Sequence, residues 1–114
     1  MTFNELDEYG KDFKKLLKRF KTLEDDIDIV KKVLIVEPKE RQPFSYRIDG
    51  LGLKTYIVKI KKIACKALKG RGANSGLRLV YAHFEEEQRI VMVELYFKGD
   101  KENEDRESIL KNFD

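Results

Sequence analysis

A chain of 114 residues, 41% hydrophobic and 39% charged, has enough apolar material for one domain with one core and is too short for two. It carries no apolar run long enough to cross a bilayer and no signal-like opening. Its single cysteine and single histidine exclude an internal disulfide, a soft-ligand metal cluster and any mechanism that needs a histidine pair. The expected protein is therefore cytoplasmic, without cofactor or metal, and the net charge of +3 conceals how unevenly the charge is distributed.

A short strand is expected around Thr2–Leu6. Tyr9, Phe13, Leu16, Leu17 and Phe20 then recur at helical spacing, with lysines on the opposite face. Thr22 reads as the N-cap of a second helix, with Asp25 three residues on and Asp26 near the positive helix end. Leu23, Ile27, Val30, Val33 and Leu34 form its apolar stripe. Two helices with one short break predict an antiparallel hairpin. Pro38 and Pro43 bracket a loop over Glu37–Pro43.

The second half alternates as strand does. Thr55–Ala67 sets Tyr56, Val58 and Ile60 against Ile57, Lys59 and Lys61, and the break at Lys61-Lys62 would suit a bulge. Leu77–Phe84 places Leu77, Leu79, Tyr81 and His83 on one face. Arg89–Lys98 sets Val91, Val93, Leu95 and Phe97 against Ile90, Met92, Glu94, Tyr96 and Lys98, and Glu85–Gln88 turns the two into a hairpin. Lys101–Phe113 is expected to add a polar C-terminal helix resting on Ile109, Leu110 and Phe113. The fold class is α+β: one domain over 1–114, a helical hairpin packed on a three- to four-stranded antiparallel sheet.

Charge singles out one region. Between Gly50 and Phe84 there is no Asp or Glu, yet Lys54, Lys59, Lys61, Lys62, Lys66, Lys69, Arg71 and Arg78 all lie there. Such a field suits a polyanion or an acidic partner, although a solvated lysine-rich strand pair would read the same way. Within the block, Lys69-Gly70-Arg71-Gly72-Ala73-Asn74-Ser75-Gly76-Leu77-Arg78 joins two strands through a glycine-rich loop. It lacks the Gly-Lys-Ser/Thr ending of a Walker loop, and a strand follows it. Arg71 and Arg78 beside such a loop could clamp a phosphate, or could simply be solvated on a long hairpin. Cys65, flanked by Ile63 and Ala64, and His83, inside a strand, read as structural.

Three strings in order carry a resemblance: Lys59-Ile60-Lys61-Lys62, then Ser75-Gly76-Leu77-Arg78-Leu79-Val80-Tyr81, then Val93-Glu94-Leu95-Tyr96-Phe97-Lys98-Gly99-Asp100-Lys101. Together they resemble the toxins of type II toxin–antitoxin modules, the RelE/ParE superfamily, and within it the RelE/HigB-like branch. The resemblance implies a ribosome-dependent mRNA endonuclease that cleaves without metal, through attack of a ribose 2′-hydroxyl on its neighbouring phosphate. It implies Arg78 as the cation of the reacting phosphate, Lys59 and Lys61 as phosphate holders or base, and Lys98 or Lys101 as acid. Lys62, Lys66, Lys69 and Arg71 would contact RNA, and Tyr96 or Tyr81 would stack on a base, with the core claiming Tyr81 first. It further implies a cognate antitoxin with an acidic segment folding over the basic face. Two other readings stay open: a ParE-type toxin that inhibits DNA gyrase by protein contact, and a non-catalytic relative that binds RNA or its antitoxin.

Overall fold

The computed structural model describes Met1–Phe113. Strand β1 (Thr2–Glu5) leads into helices α1 (Asp7–Leu17) and α2 (Leu23–Val36). Strands β2 (Ser45–Arg47), β3 (Tyr56–Ile60), β4 (Leu77–Phe84) and β5 (Arg89–Phe97) follow, and helix α3 (Arg106–Phe113) ends the chain. The sheet order is β1-β5-β4-β3-β2. The expected α+β class holds, with a sheet wider than anticipated. The three-residue β2 is too short to show alternation, and β1 pairs with β5 in parallel, so the sheet is mixed. No described helix is long and apolar enough to cross a membrane.

The helical hairpin covers one face of the sheet. Tyr9, Leu16, Phe20, Leu23, Ile27, Val30 and Leu34 bury against Val58, Ile60, Leu77, Leu79, Tyr81, Ile90, Met92 and Leu95. Each fully buried aliphatic side chain contributes about 2 kcal/mol of transfer free energy. The opposite face carries Ile57, Val80, Ala82, Val91, Val93 and Tyr96, and α3 covers part of it through Ile109. Phe113 lies against Phe84, with ring centroids 6.3 Å apart.

Three local expectations are corrected. The bulge lies in β5, not at Lys61-Lys62: Val80 pairs with Glu94 but Tyr81 with Met92, which leaves Val93 as the extra residue. The alternation therefore flips there, and Leu95 joins Ile90 and Met92 in the helix-side core while Glu94 stays with Val93 on the far side. Asp12 of α1 secures the bulge by accepting the Leu95 N–H at 3.2 Å.

Thr22 is the N-cap residue of α2 but makes no capping bond to its own helix. Its hydroxyl donates to Asp26 (2.8 Å) and accepts the Ala67 N–H (2.9 Å), which ties the helix start to the basic loop. Cys65 is buried beside this pair, and burial raises its thiol pKa, as expected of an inert core thiol.

The third concerns β3, which stops at Ile60 instead of running to Ala67. The Lys61 and Lys62 N–H groups both donate to the Phe44 carbonyl, at 3.0 and 3.3 Å, and the chain leaves the sheet. The excursion closes at Ser75, which is fully buried. Its hydroxyl donates to the Ile63 carbonyl (2.5 Å) and accepts the Leu77 N–H (3.1 Å), returning the chain to β4.

Candidate functional site

A cleft of about 860 Å³ opens where the ends of β3 and β5 meet the start of β4. It is lined by Lys61, Lys62, Arg71, Arg78 and Lys98, together with Pro43, Tyr46, Asn74, Ser75, Gly76, Phe97 and Gly99. Among these residues there are five cations and no carboxylate, so no lining group cancels the field.

Arg78 is the second residue of β4 and is only partly exposed. Its guanidinium donates to the carbonyls of Lys61 (3.0 Å) and Leu77 (3.2 Å), and it has no carboxylate partner among the described residues. Neutral backbone acceptors hold the fork in place and leave its charge unspent, the arrangement that favours an incoming oxyanion. The Lys61 ammonium lies 4.6 Å from the Tyr46 ring centroid, and Lys62 donates to the Asn74 side-chain carbonyl at 2.9 Å. Exposed Lys98 follows β5, and its backbone N–H bonds the Gly76 carbonyl at 2.8 Å.

Phe97 forms the apolar floor, and two glycines make room for its ring. A Cβ on Gly76 would sit 3.0 Å from the ring and one on Gly99 only 2.6 Å; Gly76 also has φ +91°. Phe20 meets the same ring at 5.3 Å between centroids, and the Arg19 guanidinium lies 5.3 Å from its centroid.

The structure thus brings Arg78, Lys61, Lys98, Lys62 and Arg71 together and leaves the other sequence candidates outside the cleft. Lys59 is partly buried and bonds Glu104 at 2.7 Å. Burial alone would raise the Glu104 pKa, but the bond from Lys59, with Arg106 nearby, outweighs it and holds the carboxyl below its ordinary range. Lys101 pairs with Glu94 and lies 5.1 Å from the Tyr96 ring centroid. Tyr96 is 5% exposed, so it has no face to offer a base. Burial, then Glu104 and Glu94, push its hydroxyl up to about 12, against the pull of Arg78. Lys66 and Lys69 are exposed on the loop away from the lining. Tyr81 is core, as expected, and donates to the Pro38 carbonyl at 2.6 Å.

Sequence reasoning missed Tyr46 and Phe97 as cleft residues. Tyr46 enters because β2 pairs it with Lys59, and three residues after a proline pair gave no periodic signal. Phe97 could have been suspected from Gly99 two residues on, since glycines around an aromatic often mark close packing.

The fold defined by this sheet and hairpin is RelE-like. The chain is similar to the archaeal RelE–RelB complex structure from Pyrococcus horikoshii OT3, with 15% sequence identity and a TM-score of 0.57, over 86% of this chain and 94% of that one. No protein-family model and no curated protein matches the chain.

Proposed function

We propose that the chain is the toxin of a type II toxin–antitoxin module and an endoribonuclease acting in the cytoplasm on mRNA held by the ribosome. The observation that carries this reading is the carboxylate-free cleft of five cations on a RelE-like sheet. Attack by a ribose 2′-hydroxyl on the adjacent phosphate builds negative charge on the phosphoryl oxygens. A cation already fixed where that charge grows stabilises the transition state more than the ground state.

Arg78 is the cation assigned to that charge, because two carbonyls already hold its fork. Lys61 and Lys98 both line the cleft and are the groups left to take and return protons, since carboxylates occupy Lys59 and Lys101. Lys62 and Arg71 would hold flanking phosphates. Free RNA would bind weakly and lose affinity as salt rises, so the ribosome supplies the remaining contacts. An antitoxin with an acidic segment would neutralise the same cleft.

The test is induced expression of wild type and Arg78→Ala with mRNA 5′ ends mapped in the same cells. Cuts inside translated codons that vanish in a folded Arg78→Ala variant support the reading. Growth arrest without new cuts points instead to a protein target such as gyrase, and no arrest at all to a non-catalytic relative.

A further inference from the structure

An RNA site that tolerates many sequences needs an aromatic face as well as cations, because any base can stack on one. Most tyrosines and phenylalanines near the cleft cannot supply it. Tyr96 and Tyr81 are buried, and the Phe97 ring is closed in by Gly76, Gly99, Phe20 and Arg19. Tyr46 remains. It is partly exposed, lines the cleft, and sits on β2 directly opposite Lys59 in the strand register. What occupies its ring is not a packed side chain but the ammonium of Lys61, 4.6 Å from the centroid on a flexible stem.

Resting on the RNA reading above, we infer that the cleft receives an unpaired nucleotide whose base stacks on Tyr46 in place of the Lys61 ammonium. The exchange is coupled. A base on the ring evicts the ammonium, and the nearest strong acceptor is the phosphate attached to that base, held by Arg78. Lys61 is parked on Tyr46 in the free protein and delivered to the phosphate by the substrate itself. A paired base cannot make the exchange, since its faces are already stacked within a helix. The substrate class is therefore single-stranded RNA, with little preference for which base fills the position.

The experiment measures binding of an all-2′-fluoro trinucleotide, which lacks the attacking hydroxyl, at fixed low salt. It is compared with versions abasic at each position in turn and with a hairpin of the same sequence. Wild type is expected to lose about ten-fold or more in affinity when one particular base is missing. Tyr46→Leu should lose the same factor on the intact probe and become indifferent to that abasic position, while Tyr46→Phe stays within about two-fold of wild type. If Tyr46→Leu does not fold, Tyr46→Met, which also lacks the aromatic face, takes its place.

Equal binding of all abasic probes by wild type, or of hairpin and single strand, overturns the inference. So does wild-type affinity in Tyr46→Leu; if Arg78→Ala then abolishes binding, the phosphate cleft stands and only the stacking role falls. No binding of any probe by wild type even at low salt and high protein concentration, where weak electrostatic binding is most readily seen, with Arg78→Ala equally inert, removes both.

Discussion

The Lys59 ammonium and the Glu104 carboxylate meet at 2.7 Å in a pair whose side chains are 14% and 4% exposed. This contact anchors the segment between β5 and α3 to the sheet face opposite the helical hairpin. It also removes one lysine from the basic block. Truncating one member would strand the other charge in a poorly solvated site. Glu104→Ala is expected to cost about 3 kcal/mol, with Lys59→Met/Glu104→Leu recovering most of the loss. Urea or thermal unfolding measures this, with Glu104→Leu and Lys59→Met as the single mutants that complete a cycle with wild type and the double. Additive single and double mutants would show that the pair contributes nothing.

Acid should weaken the fold in two windows. Burial lowers the His83 pKa from its ordinary 6.5, so the unfolded chain takes up a proton that the folded one still refuses. Stability then falls as pH drops from about 6.5 towards the folded value. Glu104 acts lower down. Its pKa is depressed below the ordinary 4.5, so the stability it contributes is present above that value and is lost as pH falls through the folded one. In His83→Phe the upper window should disappear and the lower one remain, as read from denaturant midpoints across pH 3 to 7. An unchanged upper window would assign it to another group.

Gly99 and Phe97 are predicted to be coupled. A methyl group on Gly99 would stand 2.6 Å from the Phe97 ring, so Gly99→Ala must displace the cleft floor. A loss of about 1–3 kcal/mol is expected, as for other overpacked sites. Phe97→Leu should relieve most of it, giving a double mutant more stable than the sum of the singles predicts.

The Lys98 side chain is exposed and lines the cleft, so its loss is expected to change binding rather than folding. Lys98→Gln should leave the melting temperature within about 1 °C. It should also reduce the slope of log K against log salt for single-stranded RNA by about 0.7, the value for one lost phosphate contact. A slope equal to that of wild type would place Lys98 outside the RNA path.

The core was legible where periodicity runs undisturbed. Leu23, Ile27, Val30 and Leu34 and the Leu77, Leu79, Tyr81 face sit where their spacing puts them, while Val33 of the same stripe stays half-buried outside the core. It failed where a long-range contact overrides local pattern. Asp12 accepts the Leu95 N–H from 83 residues away and supports a bulge that moves Leu95 into the opposite core. Thr22 has the chemistry of a cap, yet its hydroxyl serves Ala67 on a loop 45 residues on. Neither partner is visible in a local window.

The helical hairpin, the hairpin of β4 and β5 and the acid-free basic block belong to the sequence alone. They follow from side-chain period and from charge, which add up residue by residue along a chain. Which cations stay free was decided only by tertiary structure. Glu104, 45 residues from Lys59, and Glu94 each claim a lysine, whereas Arg78 rests on backbone carbonyls with no carboxylate partner among the described residues. Pairing depends on distances of a few ångströms in the fold, and linear charge counts carry no such distances.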